Sequence, residues 1–219
     1  MQWKSFLLFI SFVATSAMYA PQVLLSAPRD TVWRVDSPGS FSVLVEDSVS
    51  LDEILLREMD RELRRIFKPS DATVDIVLPH ERNAHAVFDT EVIVMRVAGR
   101  CEFGPMPPLK VHRADALGRT FVTDGVILPF VELDCRQISG ALRSRLAAAS
   151  ADRRPAILGR AIARVLAHEI YHVLARTSSH SAHGIAAETM SVNKMVADHL
   201  DFCYEDFEEM RLASPMATH

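Results

Sequence analysis

Apolar positions along this chain recur at two spacings, every second residue in short runs and every third or fourth in two longer ones. Residues 41–45 alternate as a half-buried strand does. Leu51, Leu55, Met59, Leu63 and Phe67 then recur at helical intervals, which predicts a helix over 51–67, opened by a Ser50 and Glu53 capping box and ended by Pro69. The β-branched runs 73–78 and 91–97, bounded by Pro, Asp and Gly, predict two more strands. A Pro-rich loop at 104–108 precedes the runs 119–123 and 126–131, which flank Asp124-Gly125, a dipeptide suited to a tight hairpin turn. Finally, Leu158, Ile162, Val165, Leu166, Ile170 and Val173 predict a long helix over 155–177, with Pro155 in its first turn. Strand, helix and strand in succession imply an α/β or α+β layer.

Composition sets the limits of this picture. The chain has 219 residues, 49% of them hydrophobic and 24% charged, enough to bury one good core. One domain over 41–205 is expected, after a loosely ordered lead-in at 21–40 and before an acidic, fraying tail at 206–219. The 28 acidic residues outnumber the 24 basic ones, for a net charge of -4. Beyond the Arg61, Arg64 and Arg65 face of the first helix, no stretch concentrates positive charge, which argues against nucleic acid as a partner.

The first residues change the expected compartment. Lys4 precedes an apolar run at 6–18, and Ala17 and Ala20 offer cleavage points, so 1–20 reads as a signal peptide, with a retained anchor as the alternative. The run is too short for a comfortable membrane span, so no stable membrane insertion is expected and the protein should be secreted or periplasmic. Export makes one disulfide plausible among the three cysteines. Cys101 with Cys135 is the first choice, leaving Cys203 free, and three small buried hydrophobes are the alternative. None has the spacing of a cysteine-based zinc site.

The chemistry is concentrated at His168-Glu169-Ile170-Tyr171-His172. Two imidazoles four positions apart fall on one helical face and can grip a single Zn²⁺, with Glu169 beside the metal. Glu169 would then act as general base, taking a proton from a zinc-activated water that attacks a peptide carbonyl and passing it to the leaving amine. A catalytic zinc needs a third protein ligand. His180 is the first choice, because the polar stretch 177–179 can turn the chain back under the helix and Gly184 permits a tight backbone after it; His183, Glu188 and Asp198 remain rivals.

The run HEIYHVLARTSSHSAHGI looks like the active-site helix of zincin metallopeptidases. Across 167–185 it is similar to a group of short exported bacterial proteins with a metzincin-like look, in which a third His is followed by Ser, two variable residues and Gly-Ile or Gly-Leu. His180, Ser181, Gly184 and Ile185 match that pattern. A weaker similarity runs upstream through the early strand and helix, Cys101, the Leu117-Gly118 pair and the strand after Gly125. The chain departs from the group in having Ala175-Arg176 where Gly is common, and Ala186 where a Met directly follows the Gly-Ile pair. In metzincins a Met forms a floor under the metal, a place Met190 or Met195 could take here. Standard metzincins also put the third His at the position of Ser178.

The resemblance implies a zincin-like fold: a small twisted mixed sheet, a backing helix and an active-site helix, with zinc in the cleft between them. It implies a zinc-dependent peptidase acting on peptide or protein substrates, with 119–123 or 126–131 as a sheet edge that binds substrate as an extra strand. The other class is an exported zinc-binding interaction module without turnover. Tyr171, Tyr204 and His199 are lesser candidates for a catalytic role, and His80, His85 and His112 read as solvated loop residues.

Overall fold

The alternating and β-branched runs of the sequence form five strands in the computed structural model, which describes residues 39–46, 51–78, 90–102 and 116–213. These are β1 (Phe41–Val45), β2 (Val74–Val77), β3 (Glu91–Ala98), β4 (Gly118–Thr123) and β5 (Val126–Asp134). They make one sheet in the order β2-β1-β3-β5-β4. The first four positions in that order run parallel, and β4 closes the edge antiparallel to β5. The hairpin between β4 and β5 turns at Asp124 (φ 50°) and Gly125 (φ 78°), a left-handed pair that matches the twist of the flanking strands.

Alternation places one face of the sheet in the core. Ile93 and Met95 of β3 and Val131 and Leu133 of β5 are fully buried, whereas Arg96 between its buried neighbours points to solvent. Two helices cover the buried face: α1 (Glu53–Phe67) and the 21-residue α4 (Arg154–Leu174). Leu55, Met59, Leu63 and Ile66 form the inward stripe of α1. α4 is buried almost all round because it packs on α1, β4 and β5 together. Arg164, with 0% of its surface exposed, donates from Nε to Glu62 of α1 at 2.9 Å and from Nη1 to the Lys194 carbonyl at 2.6 Å. A buried charge needs such partners, and here they fix how the two helices meet.

Several boundaries differ from expectation. α1 is capped by Asp52, whose side chain accepts from the Ile54 N–H at 2.8 Å, and not by a Ser50 and Glu53 box; Ser50 lies outside the described residues. α4 stops at Leu174, three residues before the predicted end, because Arg176 adopts left-handed backbone at φ 50°. Three short helices have no counterpart in the expectation: α2 (Cys135–Ala141), α3 (Arg143–Ala148) and α5 (Val192–Val196).

The largest correction concerns the tail expected at 206–219. Tyr204–Ala213 is a helix, α6, that buries Asp206, Phe207 and Met210. Its acidic residues conceal an apolar face, which packs against Phe202 and the core. The remaining six residues of that tail, the expected signal peptide at 1–20, most of the expected lead-in at 21–40, the loop 104–108 and His80, His85 and His112 lie outside the described residues. Cys101 and Cys135 are joined with Cα atoms 4.8 Å apart, which ties the end of β3 to the start of α2 and leaves Cys203 as a thiol. Among the described residues no helix is long and apolar enough to cross a membrane.

Candidate metal centre

Helical spacing puts His168 and His172 one turn apart on the face of α4 that looks toward β4. Each ring is oriented through its Nδ1. That of His168 lies 2.8 Å from the Ile185 carbonyl, and that of His172 lies 2.8 Å from the Thr177 carbonyl. A carbonyl only accepts, so both Nδ1 atoms carry the proton and both Nε2 atoms present bare lone pairs. These Nε2 atoms face each other at 3.2 Å. Two ligands of one tetrahedral zinc at 2.0–2.1 Å stand about 3.3 Å apart, so the pair already has the separation that a shared cation requires.

The end of α4 explains how the third imidazole arrives. The Thr177 N–H bonds the His172 carbonyl and the Arg176 N–H bonds the Val173 carbonyl, the two hydrogen bonds of a Schellman cap. This cap demands the left-handed backbone found at Arg176 and reverses the chain. The reversal brings His180 against the helix, with ring centroids 5.2 Å from His168 and 4.9 Å from His172. One ligand atom from each of the three lies within 4.8 Å of the others, and they are the only such group among the described residues. Arg176 thus holds a left-handed position of the kind that favours glycine.

The rivals for third ligand fall outside the histidine cluster. Asp198 is 94% exposed and pairs with Arg160, while His183 is exposed with its carbonyl facing the Cys203 thiol. Glu188 lines the same cleft but is exposed and outside the histidine cluster. Of the two methionines considered as a floor, Met190 lines the cleft and Met195 is buried in the core. Tyr204 and His199 are exposed outside the cleft, and the Tyr171 hydroxyl turns away to donate to Glu209.

Glu169 is 5% exposed and faces the edge strand. Its Oε2 accepts from the Thr120 hydroxyl at 2.8 Å, a contact that no local pattern announces because 49 positions separate the two residues. Gly118, also on β4, is required by this approach: a Cβ there would stand 2.9 Å from Glu169 Oε1 and 2.9 Å from Val165 Cγ1. Burial pushes the Glu169 carboxyl up to about 7 against the opposing pull of Thr120. Burial also holds His168 down to about 4, with the Ile185 carbonyl working in the other direction, and lowers His172. In both helical imidazoles burial therefore favours the neutral form that a metal ligand must take.

The cleft above these groups has a volume of about 380 Å³. Gly118, Thr120 and Val122 of β4 form one wall, and His168, Glu169 and His172 of α4 form the other. No family model matches the chain, and no curated protein matches it.

Proposed function

We propose that this protein is an exported, zincin-like zinc peptidase, with His168, His172 and His180 as metal ligands and Glu169 as general base. The observation that carries this reading is the convergence of three imidazoles beside a buried carboxylate, in a cleft whose opposite wall is a sheet edge. The donor set is three imidazole nitrogens with room for one further ligand, which suits a catalytic zinc. A zinc ion held there would polarise a carbonyl and lower the pKa of water.

The protein's own groups do the rest. Glu169, desolvated and poised near neutrality, takes a proton from the attacking water and returns it to the amine nitrogen of the broken peptide bond. Thr120 keeps its carboxylate oriented from across the cleft. β4 has no strand beyond it among the described residues, so an extended peptide can add along its free edge and lay its scissile bond over the histidines. The disulfide between Cys101 and Cys135 supports the assignment to a secreted or periplasmic compartment.

The test uses the purified mature chain with about one zinc per molecule. Glu169→Gln keeps every ligand, so it should retain zinc while peptidase turnover on a mixed peptide library falls by about 10²- to 10⁴-fold. Full turnover in that variant, or a wild-type chain that holds zinc and cleaves nothing, would overturn the peptidase reading.

A further inference from the structure

His180 belongs to no helix or strand and is exposed, yet its place decides whether the metal site has two protein ligands or three. The loop that follows it is held further along: the Ser181 N–H bonds the Ala186 carbonyl at 2.9 Å, the Ile185 N–H bonds the Asp201 carbonyl at 3.0 Å, and the Ile185 carbonyl faces His168 Nδ1. Gly184 lets the loop lie this close, since at φ 77° its missing Cβ would stand 2.7 Å from the Asp201 oxygen.

One side chain then clamps the residue next to the ligand. Asp206 of α6 has 0% of its surface exposed, and both its carboxylate oxygens are used. Oδ1 accepts the Ser181 hydroxyl, and Oδ2 accepts the Cys203 N–H at 2.7 Å. A carboxylate taken out of water is costly unless it is hydrogen-bonded, and these two bonds meet that need. What these bonds fix is Ser181, the immediate neighbour of His180. A second stitch ties α6 to α4 itself, as Tyr171 of α4 donates to Glu209 of α6 while its ring lies 5.5 Å from that of His172.

We propose that Asp206 is a positioning residue for the third metal ligand: through Ser181 it sets His180 against α4, so that the C-terminal helix completes the metal centre. This rests on the metal-centre reading given above. Docking of α6 and metal binding are then linked in both directions, each favouring the other.

Cobalt(II) is the probe, because its visible absorption reports ligand number, and its affinity is read by competition with a chelator. In the full mature chain, Asp206→Ala should weaken cobalt binding by about 10- to 100-fold, the usual cost of losing an outer partner of a metal ligand. Its spectrum should shift toward that of His180→Ala. The double variant Asp206→Ala with His180→Ala should bind no more weakly than His180→Ala alone, because both changes remove one contribution. A general loss of packing would instead add to the His180 effect. Should Asp206→Ala fail to fold, Ser181→Ala removes the hydroxyl alone and should lower affinity in the same direction. Wild-type affinity and spectrum in Asp206→Ala or Ser181→Ala, or full additivity with His180→Ala, overturns the proposal while leaving the metal centre intact. A wild-type chain that takes up neither cobalt nor zinc overturns the metal-centre reading itself.

Discussion

The two halves of the histidine cluster are built in different ways. His168, Glu169 and His172 sit within two turns of one helix, and the cap that orients His172 lies only five residues on. His180 comes from coil and depends on a carboxylate 25 residues beyond its neighbour Ser181. The helical half is preformed by local geometry, which costs little further ordering when a metal arrives. On the proposal above the loop half is set in place by α6, so its contribution is reduced by the entropy of ordering that loop. One site therefore combines a rigid base with a ligand whose presence reports on distant packing.

Deleting one ligand from each half is the strongest test of this difference. Structural zinc sites gain about 10–16 kcal/mol from four ligands, so one ligand is worth about 2.5–4 kcal/mol, or roughly 10²- to 10³-fold in affinity. His172→Ala should fall at the upper end, since it removes a prepositioned ring. His180→Ala should fall at the lower end, because deleting a loop ligand also removes its ordering cost. Zinc affinities measured by chelator competition check the ranking, and equal losses would mean that the loop is as preformed as the helix.

What could be read from the sequence follows the same division. The two helical histidines and Glu169 were legible because period and motif are local, and so were the β4 to β5 hairpin and the stripe of α1. His180 was reachable through its polar turn and its resemblance to a known pattern, although Arg176 stands where a glycine would have marked the reversal. Asp206 was not legible, because Glu205, Asp206, Glu208 and Glu209 read as a solvated acidic end and conceal Phe207 and Met210. Thr120 was equally silent, since nothing in a strand's alternation says which helix its hydroxyl will meet.

Glu169, the proposed general base, should also weaken the fold that holds it. The folded-state pKa of Glu169, about 7, lies above its ordinary 4.5. Between these values the metal-free folded chain holds a proton that the unfolded chain has lost, so stability falls as pH rises through this window and remains lower above it. His168 acts oppositely, adding stability as pH rises from about 4 to 6.5, because its folded pKa is depressed. Comparing wild type with Glu169→Gln cancels the histidine contribution. The metal-free variant should match wild type near pH 4 and exceed it above pH 7 by roughly 3 kcal/mol, the equivalent of the shift. Urea unfolding at several pH values measures this, and a difference independent of pH would show that Glu169 is not desolvated as its burial implies. Bound zinc, a neighbouring dication, should shrink the gap by favouring the carboxylate.

The smallest effect is expected at Thr120, where the edge strand touches the preformed half of the site. Its hydroxyl lies 2.8 Å from Glu169 Oε2 and 3.1 Å from the Glu169 carbonyl, and it has one proton to give. If that proton goes to the carboxylate, Thr120→Val removes a donor to a charged group while keeping the β-branched shape that suits a strand. Such bonds contribute about 1.5–3 kcal/mol, and one pKa unit corresponds to about 1.4 kcal/mol, so the acid limb of kcat/KM should move up by about one to two pH units. Zinc content should stay at wild type, because no ligand or ligand-orienting carbonyl is altered. Thr120→Ser retains the donor and should return the limb to its original position. Coincident profiles for wild type and Thr120→Val would place the proton on the backbone carbonyl instead, and Glu169 would then owe its position to α4 and to the absence of a side chain at Gly118.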